Sequence, residues 1–431
     1  MPPADLSRIS QLSATIAENT ALLDDHLTTH NLPSPSFSQT YHPPNPSTLP
    51  ADISAALTSL ESATLELHDL IRGPRAIIAG GPNDHAARAF IARFDVALHV
   101  PIEGSISYEN LASKIGVAAT AAQTILRLAI AHRIFTEPEP GHVAHSAASR
   151  ILHDELVWRQ FSRANADFLP LVVNLVPALE QFPAADDPTR TAASLAAGTV
   201  GEKGFYDLLA ENPERAGDFH ASMGLFAKGP DLSMEHVLNA FDWASLPNPS
   251  LCIDLGGGEG QAAITVARAH QHLRWEVQDL SSAFANLPAL PEDLEGRVTY
   301  HVHDFFTPQR ERSEPSQQPA VYFFRWILHN HPDAYCRRIL RALSPSLERN
   351  PDAKVVVMDG ILPPMNVLPN TAERAIRSMD VTMLELGNGR ERGGDAWRKL
   401  FADADERFVV ERCGMIEGGS RLGAVVVGWR K

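Results

Sequence analysis

The run Leu251-Cys-Ile-Asp-Leu-Gly-Gly-Gly-Glu-Gly260 constrains this chain more than any other segment. An apolar stretch of strand character ends in a glycine-rich turn, and Gln261 to His270 continues at helical spacing. Glycines in such a turn let the backbone approach a ligand at φ values that a Cβ forbids. The helix N-terminus behind it adds unpaired N–H groups and a positive dipole end. A nucleotide-like cofactor is the natural guest.

The rest of the C-terminal half fits a strand–turn–helix beginning. Strand candidates at Leu251–Leu255, Trp275–Asp279, Val298–His303, Val321–Phe324 and Lys354–Asp359 alternate with helical segments. That alternation predicts an α/β, Rossmann-like parallel sheet with crossover helices. Phe408–Cys413 and Ala424–Trp429 have only a Gly-rich turn between them, so an antiparallel hairpin closes the sheet. Gln309–Pro319 reads as a polar, solvated loop.

The N-terminal half is mainly helical. Leu6–His30 and Ala51–Arg72 carry apolar residues at helical spacing, separated by a Pro/Ser/Thr-rich stretch over 33–50 and ended by Gly73-Pro74. Helices are predicted at Ala86–Leu98, Ser107–Ile115 and Ala119–Ala131, and two short strands within Ile134–His145. Three helices and a hairpin suggest a winged-helix-like unit. Seven basic and seven acidic residues over 86–160, on a chain of net charge −15, make it a poor phosphate binder. It is read as an interaction or dimerisation unit, with neither nucleic acid nor membrane as partner. The expected division is 1–85 (helices and linker), 86–240 (winged-helix-like and helical region) and 241–431 (cofactor-binding catalytic domain).

Three cysteines without metal spacing fit a reduced, cytoplasmic protein. Cys252 and Cys413 sit in apolar strands and are expected in the core. His301 and His303 alternate on a strand beside Asp304, but no further ligand stands at useful spacing, so no metal is expected.

Read from Gly258, Gly-Glu-Gly-Gln-Ala-Ala also satisfies the loose dinucleotide fingerprint. Asp279 follows about 20 residues on, where an acid binds ribose hydroxyls; the competing role is a helix N-cap. Spacing alone supports an adenosine cofactor and leaves a nicotinamide enzyme open.

Asp254, two residues before the first glycine, resembles the first motif of class I S-adenosylmethionine-dependent methyltransferases. Phe324-Arg-Trp-Ile-Leu-His-Asn-His-Pro-Asp333 resembles the Lys/Arg-Trp-x-x-His-Asp-Trp-x-Asp segment of the plant and fungal small-molecule O-methyltransferases, the caffeate O-methyltransferase-like family. Asp359-Gly-Ile-Leu-Pro-Pro and Gly387-Asn-Gly-Arg-Glu-Arg-Gly393 resemble that family's two later catalytic segments. These motifs and the terminal hairpin cover about 251–431; the helical half resembles the family's dimerisation domain more loosely.

The resemblance implies S-adenosylmethionine as cofactor, an aromatic, polyketide-like acceptor and a homodimer. It places Gly256 and Gly258 along the cofactor, Asp279 on the ribose, Asp304 on the adenine amino group with Phe305 beside the ring, and Arg325, where lysine is frequent, near the methionine end. His329 would be the base, flanked by Asp359 and Glu391. Asn330-His331 departs from Asp-Trp, and Asp359 is one methylene shorter than the usual glutamate. Arg390-Glu-Arg392 has a competing reading as a solvated charge cluster. Met379 and Met383, four apart on one helical face, are candidates with Met223, Phe226 and Trp326 to line the acceptor pocket, against core packing. The alternative to an enzyme is a catalytically idle, methyltransferase-like binding protein.

Overall fold

The computed structural model describes residues 6–43, 49–79, 81, 83–212, 215–219, 223, 231–285, 287, 289–314 and 317–431. They form two compact units: Met1–Pro170 with Glu214–Leu225 and Leu368–Arg374, and Leu171–Pro213 with Phe226–Val367 and Ala375–Lys431.

In the first unit the helices Arg8–Thr29 and Ala51–Ala79 pack along each other. The second of them is broken at Gly73, whose φ of 75° suits glycine, just before Pro74. The helices Asn83–Arg93, Tyr108–Ile115 and Ala119–Ala131 follow, with three short strands, β1 (Ile106–Ser107), β2 (Phe135–Thr136) and β3 (His142–His145). The strands pair antiparallel in the order β1-β3-β2, so the hairpin expected within 134–145 is present. Ile91, Val96, Leu111, Leu126 and Val143 fill the core beneath it. Arg127 grips the Glu137 carboxylate with two N–H groups, at 2.9 and 2.8 Å, fastening a helix to the hairpin.

The second unit is built on seven strands: β4 (Ser250–Leu255), β5 (Leu273–Asp279), β6 (Val298–Val302), β7 (Pro319–Arg325), β8 (Lys354–Asp359), β9 (Phe408–Met415) and β10 (Gly423–Trp429). Their order is β6-β5-β4-β7-β8-β10-β9. β4 to β8 run parallel; β10 is antiparallel to both β8 and β9. This is the predicted α/β sheet with its antiparallel closure.

Both faces of the sheet are covered, and side chains alternate between them. Along β7, Val321 and Phe323 join Trp243, Trp275 and the helix Gln261–Ala269 on one face. Tyr322 and Phe324 join Ile339 and Leu340 of the helix Asp333–Arg349, and Trp397 and Phe401 of the helix Gly394–Ala404, on the other. Cys252 is fully buried as expected; Cys413, on edge strand β9, is only half-buried. No single described helix is long and apolar enough to cross a membrane.

The loop after β6 corrects the sequence reading. Gln309 is buried, not solvated, and bonds Gln278 Oε1 at 2.8 Å and His303 Nε2 at 2.9 Å. Arg310 and Arg312 both reach the buried Glu276 of β5, at 2.5 and 2.7 Å. These bonds tie the loop that carries Asp304 and Phe305 to the sheet.

Candidate active site

A parallel sheet delivers its functional residues at the carboxyl ends of its strands. Asp254, Asp279, Arg325 and Asp359 all stand at such ends, and Asp304 and Phe305 follow β6.

At the β4 end the glycine turn is sterically required. Gly256 has φ 70°, and a Cβ there would press on the Ile327 side chain and come within 3.6 Å of Phe305. A Cβ on Gly257 would fall 2.6 Å from Asp254 Cγ. Gly258 N–H donates to Asp279 Oδ2 at 2.9 Å, and Leu280 N–H to Asp279 Oδ1 at 2.7 Å. Asp279 therefore holds the turn while remaining half-buried. Asp304 is exposed and accepts from Phe306 N–H at 2.9 Å, a local turn that presents the Phe305 ring.

Asp254 is buried, and its Oδ2 has no hydrogen-bond partner. Burial pushes its carboxyl up to about 7; the Arg325 charge opposes this and Asp279 adds to it. Arg325 stacks its guanidinium 4.2 Å over the Trp326 ring, and its Nε is also buried and unpaired. Burial lowers the Arg325 pKa, against the pull of Asp254 and Asp359. Buried polar atoms are nearly always paired. An orphaned carboxylate oxygen and an orphaned guanidinium nitrogen beside a glycine cradle fit a zwitterionic adenosine cofactor such as S-adenosylmethionine.

His329 lies on a helical turn, Leu328–Asn330, just after β7. Its Nδ1 is 2.7 Å from Glu391 Oε1. Asp359 Oδ2 accepts instead from the His329 backbone N–H, at 3.2 Å. The expectation of two carboxylates on the imidazole is thus met by one: Glu391 takes the ring, and the shorter Asp359 takes the backbone behind it. The three are buried, with 5%, 1% and 5% of His329, Asp359 and Glu391 exposed. Burial works against an imidazolium, but the Asp359 charge and the Glu391 hydrogen bond outweigh it, so the His329 pKa is raised. Burial likewise raises Asp359, with the Glu391 charge adding and His329 opposing.

The remaining expected residues are placed less uniformly. Trp326 adopts φ 57°, a left-handed conformation unusual for an aromatic residue, and its side chain packs on the core beside Arg325. Met383 is buried and Met379 half-buried on the helix Asn370–Gly387. Met223 belongs to the first unit, and Phe226 lies outside the described residues. Asn330 donates to Trp326 O at 2.8 Å, bracing that strained turn. His331 sits between the edges of Phe305 and Phe306, at 5.8 and 5.6 Å, and burial pushes its pKa down to about 4. His301 lies 3.8 Å from Glu276.

Sequence reasoning missed two residues. Asp380 Oδ1 accepts from Glu391 N–H at 2.8 Å and so aims the carboxylate. Arg392 is no solvated charge: its side chain is 0% exposed, whereas that of Arg390 is 50% exposed. The available clue was Gly387 and Gly389. A Cβ at either would collide with the carbonyls of Asn330 or His329, so the glycines marked a close passage of two loops.

A model of the O-methyltransferase domain family matches residues 197–405. The chain is 33% identical over 434 residues to O-methyltransferase aurJ of Gibberella zeae, covering 96% of each chain. OxaC in complex with SAH (S-adenosylhomocysteine) and oxaline superposes with a TM-score of 0.73 at 17% identity, over 98% of this chain and 100% of its own. A pericyclic reaction enzyme superposes with a TM-score of 0.66 at 20% identity, over 97% and 100%. The fold therefore serves more than one reaction, and the sequence relative, not the shape, decides the family. It also closes the nicotinamide alternative that glycine spacing left open. This chain belongs to the plant and fungal small-molecule family of class I O-methyltransferases, and is an S-adenosylmethionine-dependent O-methyltransferase.

Proposed function

We propose that the enzyme methylates a phenolic hydroxyl of an aromatic, polyketide-like secondary metabolite, with His329 as general base. The observation that carries this reading is the buried 2.7 Å contact between His329 Nδ1 and Glu391 Oε1. With Glu391 ionised, Nδ1 is the donor and the lone pair is left on Nε2.

A phenol has an ordinary pKa near ~10 and an imidazole near ~6.5. At neutral pH the acceptor is mostly protonated and a poor nucleophile. Bound S-adenosylmethionine supplies an already activated methyl group. The chain's own residues have two tasks: lining up the acceptor oxygen and taking one proton. As the hydroxyl oxygen gains the methyl, its proton passes to His329 Nε2. Glu391 stabilises the imidazolium through Nδ1–H, in the manner of an acid that orients a catalytic histidine. Asp359 holds the backbone N–H and adds favourable charge. Asp254 and Arg325 would pair with the charged ends of the cofactor's methionine portion, Asp279 with its ribose, and Asp304 and Phe305 with its adenine. Trp326, Met379 and Met383 would line the acceptor side.

Mass-detected methyl transfer to a panel of phenols, anthraquinones, xanthones and carboxylic acids tests the reading, with His329→Ala alongside. A product one methyl heavier on a phenol, lost in the variant, is expected. Transfer to carboxylic acids alone would overturn the phenol, and turnover retained by the variant would overturn the base. The reading also includes a cytoplasmic homodimer; sedimentation at the mass of a single 47.0 kDa chain would refute the dimer.

A further inference from the structure

His329, Asp359 and Glu391 come from three separate segments, and one side chain touches or is tied to all three segments. Arg392 Nη1 donates to Leu328 O at 2.9 Å, and Nη2 to His331 O at 2.9 Å. These are the carbonyls on either side of His329-Asn330. Arg392 Nε and Nη2 both reach Asp333 Oδ1, at 3.1 and 2.9 Å. Its own carbonyl accepts from Leu362 N–H at 3.0 Å, three residues past Asp359. The guanidinium is fully buried and lies 5.3 Å from the Trp397 ring. Cys336 Sγ touches the same two carbonyls, at 3.1 and 3.3 Å, so the turn is held from a second side.

We propose that Arg392 is the positioning residue of the base: by bonding the carbonyls around His329 it fixes the imidazole against Glu391. A planar guanidinium suits the task because its donors form a rigid fork that a lysine cannot copy. Burial makes the bonds strong and their geometry strict. The guanidinium also adds a like charge beside the imidazole. The groups that face His329 are Asp359 from the end of β8, Glu391 and Arg392 from the 387–393 segment, and His331 from its own loop. Asp359 and Glu391 raise its proton affinity and Arg392 lowers it. The side chain that places the base thus also offsets part of the rise in its proton affinity. The inference rests on His329 being the base.

The test reads the imidazole directly. Protein carrying isotope-labelled histidine is saturated with S-adenosylhomocysteine, and the His329 resonance is identified by its absence from His329→Asn. In Arg392→Met the His329 titration should move up by about one pH unit, as expected for removing a nearby like charge. The deshielded Nδ1–H signal of the bond to Glu391 should be lost. Arg392→Lys should restore the titration and only part of that signal. Asp333→Asn removes the counter-charge but leaves the guanidinium, so it should move the titration down, by roughly a few tenths of a unit. Opposite signs follow from the two charges alone, so the loss of the Nδ1–H signal at normal S-adenosylhomocysteine binding is the readout that placement of the imidazole moves. Arg392→Met that binds S-adenosylhomocysteine normally with an unchanged His329 titration and Nδ1–H signal would overturn the proposal. If Arg392→Met does not fold, Arg392→Lys decides, and a full Nδ1–H signal there overturns the proposal. Methyl transfer by His329→Asn separates this from the function itself: retained turnover defeats the base and leaves the titrations to judge the placement alone.

Discussion

The cofactor end and the catalytic end of the second unit are built by opposite means. At the cofactor end each residue follows from sheet order. β6, β5, β4 and β7 are four consecutive strands of the sheet, and their carboxyl ends bring Asp279, Asp254 and Arg325, with Asp304 just after β6, to one edge. Two buried atoms there, Asp254 Oδ2 and Arg325 Nε, are left unpaired. At the catalytic end two of the three residues stand off the strands. The Nδ1 of His329 and its backbone N–H are both engaged, and a buried arginine ties the loops together. Unpaired buried atoms occur there too, Asp359 Oδ1 and Glu391 Oε2, so the difference lies in the set of hydrogen bonds that fixes one ring. In the proposed roles one end binds and the other aims, so damage to them should separate in the kinetics.

The sharpest separation is expected from His329→Ala. Losing a positioned general base lowers methyl transfer by ~10²- to 10⁴-fold, while S-adenosylhomocysteine affinity, measured by titration calorimetry, stays unchanged. Equal loss of both would mean that the two ends are not separate. Gly257→Ala should do the reverse. Its Cβ meets the buried Asp254 carboxyl, and overpacking of this kind costs about 1–3 kcal/mol. Cofactor affinity should fall by roughly tenfold or more, by the same free-energy scale, and calorimetry checks it.

Two smaller effects depend on pH. His329 must be neutral to accept a proton, and its pKa is raised, so kcat/KM should climb with pH through a midpoint above the ordinary histidine value. Glu391→Gln removes a cause of that rise, so the acid limb should move to lower pH even as the rate falls. A limb that stays put would break the link between Glu391 and the base. Burial pushes the Asp254 carboxyl up to about 7. If it meets the cofactor as a carboxylate, S-adenosylhomocysteine should bind more tightly as pH rises from about 6 to 8, by severalfold. Asp254→Asn should flatten that dependence.

The strands and the glycine turn of the cofactor end were legible in the sequence because both are local patterns, whereas the roles of Asp254, Asp304, Phe305 and Arg325 came only from the resemblance. The five parallel strands and the closing hairpin follow from alternation and from the missing helix between Phe408 and Trp429. The catalytic end was legible only in its members. That Asp359 would reach a backbone N–H and not the ring depends on a one-methylene difference and on the path of the Leu328–Asn330 turn. That Arg392 is buried while Arg390 is half-exposed depends on which way a loop turns past Asp333, which no periodicity records. Gln309 failed the same way: a polar residue in a polar run found buried partners in Gln278 and His303. Loops that carry charge inward are where composition misleads.

In the proposed mechanism the His329 imidazole, aimed by Glu391, takes the acceptor's proton. The most direct measurement is single-turnover methyl transfer, detected by mass, from S-adenosylmethionine to a phenol found in the panel, across pH, for the wild type, His329→Ala and Glu391→Gln. The account predicts an acid limb in the wild type, its downward shift in Glu391→Gln, and its disappearance with nearly all of the rate in His329→Ala. A His329→Ala enzyme that keeps both the rate and the limb would contradict it.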